Sequence, residues 1–184
     1  MRKNLLLLFF IAATAVLALQ LWQSKGTVSP PVHGPVNCQV YFSPDGGCTD
    51  AIVHTLADAR SRILVQAYSF TSKPIAEALL DAHKRGVDVH IILDKSQRKE
   101  RYSEADFFAH MGISTLIDPV HAIAHNKIMI IDDDTVVTGS FNFTRAAEIH
   151  NAENLLILHN TELAALYKKN WEYHLSHSDP YAGR

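Results

Sequence analysis

The sequence predicts an α/β domain in which a largely parallel sheet is covered by helices. Strand-length apolar runs alternate with helical patterns between residues 62 and 112, giving two successive β-α-β steps. Pro74 and Gly86 bracket the helix between the first two strands. The 184 residues are 47% hydrophobic and 20% charged, the composition of an ordinary globular domain rather than a disordered chain.

Taken in order, residues 1–23 stand apart. Arg2 and Lys3 precede an uncharged apolar stretch, Leu5 to Trp22, interrupted only by Thr14 and Gln20. This is the pattern of a signal peptide or a single N-terminal membrane anchor. No small-x-small site follows the run, which favours the anchor. The expected location is outside the cytoplasm, periplasmic or secreted, or held at the inner membrane by residues 5–22. Residues 24–37 are rich in Pro and Gly and read as a linker. The folded domain is expected over residues 38–184. Export would allow Cys38 and Cys48 to close a short disulfide loop; two small buried thiols are the alternative, and both stay open.

Within the domain, residues 38–42 read as a strand. Residues 49–59 read as a helix capped by Thr49 or Asp50, with Ile52, Leu56 and Ala59 on one face. "RILVQAYSF" (62–70) is a buried strand, residues 72–86 a helix, 87–93 a strand and 104–112 a short helix. Residues 154–158 form a further strand. The last helix, 161–175, aligns Leu163, Leu166, Tyr167 and Trp171 in one stripe.

The chemistry concentrates in "AHNKIMIIDDDTVVTGSFNFT", residues 124–144. "KIMII" and "TVVT" have strand length and composition, and the aspartates between them suit a turn. A hairpin turning on Asp133-Asp134 sets Asp132 against Thr135, Lys127 against Ser140 and His125 against Asn142. Residues i and i+2 share a strand face, so those four side chains are expected on one side. Asp132 lies seven residues from His125, roughly 23 Å along an extended strand, and is expected to serve the turn rather than to orient His125. Glu153 is the nearer candidate for that carboxylate. Phe141 and Phe143 alternate with Ser140 and Asn142 and are expected in the core.

The set His125-x-Lys127-x4-Asp132-x6-Gly139-Ser140-x-Asn142 resembles the signature of the phospholipase D superfamily, most closely its small bacterial endonucleases with one motif per chain. The resemblance runs from about Val40 to Trp171. It implies an α-β-α sandwich around a mixed sheet and hydrolysis of phosphodiesters without a metal or other cofactor. It also implies a covalent phosphohistidine, with a second motif histidine as general acid and base. With one motif per chain, the second His125 must come from a second copy, so a homodimer with a composite site is expected. Two coupled histidines give a bell-shaped pH profile.

The residues then take their roles. His125 is nucleophile in one subunit and acid/base in the other. Lys127 and Asn142 bind nonbridging phosphate oxygens. Ser140 supports the phosphate site or the histidine, Glu153 orients the imidazole, and Asp132 completes the motif. The expected substrate is DNA, with RNA as an extension. A membrane phospholipid such as cardiolipin is the runner-up, since the N-terminal segment would hold the domain at a bilayer.

Charge bears on that choice. The chain's net charge of −2 lacks the basic footprint of a nonspecific nucleic-acid binder. Locally, "KSQRKER" (95–101) offers Lys95, Arg98 and Lys99 as phosphate contacts, with a solvated loop as the plain alternative. A metal shared by His121 and His125 is disfavoured, because i and i+4 lie roughly 13 Å apart on an extended chain. Arg145 is expected either to touch substrate or to pair with Glu148. His83, His90, His174 and His177 receive no functional role.

Overall fold

Strand-length apolar runs form the middle of an eight-stranded mixed sheet ordered β1-β7-β6-β5-β2-β3-β4-β8. The structure, a computed structural model, describes residues 29–184. The predicted signal or anchor segment lies outside the described residues. Within His33–Arg184, a single compact unit, the strands are β1 (Asn37–Ser43), β2 (Arg62–Ala67), β3 (Asp88–Asp94), β4 (Ser114–Asp118), β5 (Lys127–Ile131), β6 (Thr135–Gly139), β7 (Glu153–His159) and β8 (Asp179–Pro180). The helices are α1 (Cys48–Ala57), α2 (Lys73–Lys84), α3 (Ala105–His110), α4 (Arg145–Ile149) and α5 (Thr161–Leu175).

The β-α-β units account for the parallel part of the sheet, β2-β3-β4. The remaining neighbours pair antiparallel, through the β5-β6-β7 meander and the edge strands β1 and β8. Helices cover both faces. On one, Ile52 and Leu56 of α1, Ile75 and Leu79 of α2 and Phe108 of α3 pack on Ile63, Val65, Ile91, Met129 and Val137. On the other, Ala164 and Trp171 of α5 pack on Leu64, Ile92, Ile128, Ile130 and Val136. Each buried Val, Leu, Ile, Phe or Met among them contributes about 1.5–3 kcal/mol on burial. The Trp171 indole N–H also donates to the Val65 carbonyl at 2.9 Å, satisfying its buried polar atom.

Of four features, three differ from expectation and the cysteines decide between open alternatives. Strand β4, "STLID", escapes a periodicity reading because it is short and starts with two hydroxyl residues. Helix α1 starts from Gly47, and neither Thr49 nor Asp50 caps it. The Glu148 carboxylate accepts the Gly47 and Thr49 N–H groups at 3.1 and 2.7 Å, a cap supplied from another helix. Cys38 is exposed and Cys48 buried, and both thiols are free; burial pushes the Cys48 pKa up to about 11.

The fourth is the hairpin register. Ile131 faces Thr135 and Met129 faces Val137, one residue from the expected pairing. The loop therefore holds three residues, Asp132-Asp133-Asp134, with φ of 52° at Asp132 and 62° at Asp133. Asp132 adopts this backbone because its carboxylate gathers the N–H groups of Arg60, Ser61 and Arg62 at 2.8, 2.8 and 3.1 Å and the Ser61 hydroxyl at 2.8 Å. The side chain, not the turn sequence alone, selects the loop length.

Candidate active site

The shifted register changes how the motif is assembled. Lys127 shares strand parity with the core residues Met129 and Ile131 and lies beside Ala67 of β2. Ser140 and Asn142 alternate with Phe141 and Phe143, both fully buried. The expected cross-strand pairs Lys127–Ser140 and His125–Asn142 do not form. What gathers these residues is strand direction. The start of β5, the end of β6 and the start of β7 lie at one end of three adjacent strands, beside the carboxyl end of β2. That end of an α/β sheet is where loops leave the core and ligands bind.

Each residue is held by a nameable contact. The Tyr68 N–H donates to the Asn126 carbonyl at 2.9 Å, extending β2 to pin the start of β5. The Tyr68 ring stands 4.7 Å from the exposed His125 ring, centroid to centroid. The Lys127 ammonium lies 5.2 Å from the centre of the Tyr68 ring and donates to the His125 carbonyl at 2.8 Å. Lys127 is 6% exposed, and burial holds its pKa below the ordinary lysine value despite the nearby Glu153 charge.

Beyond β6 the chain bulges. The N–H groups of Ser140 and Phe141 both donate to the Asn154 carbonyl, at 3.1 and 3.2 Å. Gly139 makes this possible: its φ is 144°, and a Cβ there would stand 2.3 Å from the Asn154 carbonyl oxygen. The Ser140 hydroxyl accepts the Asn154 N–H at 3.0 Å, which ties the bulge to β7. Farther on, the Phe143 carbonyl accepts the Thr71 and Ser72 N–H groups at 2.9 and 3.0 Å. Asn142 is thus fixed from both sides, and its Oδ1 is buried without a hydrogen-bond partner in the protein.

Within one chain, among the described residues, Glu153 is not hydrogen-bonded to His125; its carboxylate accepts from the Asn151 amide at 3.1 Å. With β6 between β7 and β5, the two backbones are separated by two strand spacings, roughly 10 Å. Asp132, counted in the motif, caps the opposite end of the hairpin and does not belong to this site. Two cations of the basic loop have partners within the chain. Arg98 pairs with Asp179 at 3.3 Å, and Lys95 donates to the His121 carbonyl at 2.7 Å. The cleft beside Asn142 is lined instead by Tyr68, Glu100, Tyr102, Thr144 and Arg145, while Lys99 stays exposed outside it. Arg145 reaches the cleft and does not pair with Glu148, whose oxygens cap α1.

Residues 52–175 match the family described as cardiolipin synthase, PLD-like domain. The chain belongs to the phospholipase D-like family. A curated relative named phospholipase D, from Rickettsia bellii, is 45% identical over 130 residues; the match covers 71% of this chain and 65% of that protein's length. A mitochondrial cardiolipin hydrolase from Xenopus laevis is 32% identical, with 79% of this chain and 75% of the relative covered. Among solved structures, the phospholipase D family member Nuc from Salmonella typhimurium superposes with a TM-score of 0.76 at 37% identity, over 80% of this chain and 99% of that one. The sandwich expected from the motif is the fold of this phospholipase D-like relative.

One group was missed by sequence reasoning. Asp118 at the end of β4, His121 in the following loop, His174 in the last turn of α5 and His177 just beyond it converge, with ligand atoms all within 4.8 Å of one another. Asp118 is fully buried. Burial alone would raise its pKa, but hydrogen bonds from His174 and His121 and from the Val120 and His121 N–H groups hold it well below the usual carboxylate range. The signal was present as two i,i+3 pairs, Asp118-x-x-His121 and His174-x-x-His177. Local spacing offers His121 only His125, a pair disfavoured by distance, and does not reach His174 or His177.

Proposed function

We propose that this protein is a phosphodiesterase that hydrolyses nucleic acid through a phosphohistidine at a composite homodimer site. The observation that carries the reading is the exposed His125, whose carbonyl accepts from the buried Lys127 and whose ring lies beside Tyr68, at the end of the sheet where Asn142 is fixed. An imidazole nitrogen of His125 attacks phosphorus, and the bond from phosphorus to the leaving oxygen breaks. The partner subunit's His125 gives that oxygen its proton. Water then attacks the phosphohistidine, loses a proton to the same partner imidazole, and the P–N bond breaks. The Lys127 ammonium offsets charge on the nonbridging oxygens together with Asn142.

Nucleic acid as substrate is supported by the single motif per chain and by the cleft rim. Arg145 lines the cleft, and the exposed Tyr102 ring, with the Arg101 guanidinium 5.5 Å from its centre, offers a stacking surface for a base. A second reading, a membrane phosphodiester, is favoured by Val120 and Ile123, which are 62% and 57% exposed on the loop leading to His125. The curated relatives' names point the same way. Export, and attachment through residues 5–22, belong to both readings as proposals.

The test is a competition. Plasmid DNA, a single-stranded RNA and cardiolipin vesicles, each labelled with ³²P, are offered to the purified protein and to His125→Ala. Acid-labile, alkali-stable label on the wild-type chain alone supports the phosphohistidine. Cleavage of nucleic acid in preference to vesicles supports the first reading, and the reverse preference replaces it with the second. Unchanged cleavage by His125→Ala overturns both.

A further inference from the structure

We propose that Asp118, His121, His174 and His177 bind one zinc ion that clamps the loop leading to the active site onto the end of α5. The inference does not depend on the phosphodiesterase reading, because none of these residues belongs to the motif.

The geometry is specific. Asp118 Oδ2 lies 2.9 Å from His121 Nδ1, 2.9 Å from His174 Nδ1 and 3.4 Å from His177 Nε2. The three imidazoles crowd round it with ring centroids 4.8, 5.2 and 5.4 Å apart. Tetrahedral zinc with bonds of about 2.0–2.1 Å sets its ligand atoms about 3.3 Å from one another, and the oxygen-to-nitrogen distances lie within about 0.4 Å of those edges. The ligand atoms all lie within 4.8 Å of one another, so the nitrogens must draw together by up to about 1.5 Å to complete the tetrahedron.

A hydrogen-bonded hub is the alternative, but three rings directed at one carboxylate oxygen exceed what satisfying Asp118 requires. Its Oδ1 is already occupied by the Val120 and His121 N–H groups at 3.0 and 3.4 Å. Three nitrogens and one oxygen, with no thiolate, suit zinc among the divalent ions. Four protein ligands close the shell. The Asp118 side chain is fully buried, those of His174, His177 and His121 are 8%, 19% and 35% exposed, and with four protein ligands no coordination position is left for a reacting water. The site is therefore structural.

Its place in the fold gives it a consequence. The ligands join the end of β4 to the end of α5, across the origin of the segment that runs from Asp118 to His125. That segment is otherwise held by Asp94, which accepts the Ala124 N–H at 2.7 Å, and by Lys95 on the His121 carbonyl. Zinc adds a third anchor four residues before His125 without touching the reacting atoms. A chelator would then lower thermal stability while leaving the chemical step metal-free.

The full chain, purified in detergent, is dialysed to equilibrium against zinc, and its metal content is measured by mass spectrometry. Cobalt(II) is substituted in parallel. One zinc per chain and the visible absorption of tetrahedral cobalt are expected for the wild type and for His125→Ala. Both signals should be lost in His177→Gln, whose amide can still donate to Asp118 but is a poor ligand. His121→Ala, at a more exposed position, serves as a second variant if His177→Gln fails to fold. Absence of bound zinc and of a tetrahedral cobalt spectrum in the wild type overturns the proposal, as does undiminished binding in a folded variant.

Discussion

Replacing Asp132 by Asn separates the two roles a motif aspartate can play. In the wild type, Oδ1 accepts the Ser61 and Arg62 N–H groups and the Ser61 hydroxyl, and Oδ2 accepts the Arg60 N–H. Asn keeps the first oxygen and tolerates the positive φ of 52°. It turns an amide N–H₂ towards the Arg60 N–H, losing one charge-assisted bond. That bond is worth at most about 1.5–3 kcal/mol, and partial hydration of the loop brings the expected cost to about 1–2 kcal/mol. For a chain of this size the melting temperature falls by about 2–8 °C. Asp132→Ala also meets the left-handed backbone penalty of about 1–2 kcal/mol and should cost more.

The pH dependence follows from the depressed Asp132 pKa, where burial opposes but the Ser61, Arg62 and Arg60 N–H groups prevail. A carboxylate with a lowered folded pKa contributes stability that is present above its unfolded value, near about 3.9, and lost as pH falls through the folded value. The gap between wild type and Asp132→Asn should therefore be constant at neutral pH and close below about pH 4. Urea unfolding across pH measures it, and turnover is measured where both proteins are fully folded. A hundredfold loss of turnover in folded Asp132→Asn would refute the assignment of this residue to the hairpin. An unchanged melting temperature would refute the hydrogen-bond argument.

Other substitutions test the rest of the frame. Gly139→Ala sets a Cβ 2.3 Å from the Asn154 carbonyl oxygen at a φ of 144°; a loss above about 2 kcal/mol in urea is expected, with reduced activity as Ser140 and Asn142 move. Glu148→Ala frees the Gly47 and Thr49 N–H groups and should cost about 1–2 kcal/mol, with faster hydrogen exchange confined to the start of α1. Equal unfolding midpoints for Glu148→Ala and wild type would exclude the capping role. For the shared site, wild-type and His125→Ala subunits are mixed in equal amounts and re-equilibrated. If each site needs both histidines, activity falls to about a quarter of that of wild type alone at the same total subunit concentration, whereas independent sites retain about half.

Much of this was legible along the chain because it depends on local periodicity. α5 spans the residues its apolar stripe predicts, and β2, β3 and β7 follow from short apolar runs. The motif identified the family because it is an unbroken pattern of residue types at fixed spacing. The hairpin register was not legible: "DDD" permits a two- or three-residue loop, and a carboxylate reaching residues 60–62 decides between them. Nor was the partner of Glu148, or the withdrawal of Arg98 towards Asp179, since each depends on a segment distant in sequence.

The histidines show the division most clearly. The sequence by itself determined that His125 heads a phosphodiesterase-type motif, because the needed neighbours lie within the same thirty or so residues on adjacent strands. It could not determine that His121 belongs with His174 and His177. Those residues are separated by more than fifty positions, and only the packing of α5 across the sheet carries its last turn to the end of β4. Short-range order is encoded in periodicity; convergence of remote side chains exists only once the core has set the helix in place.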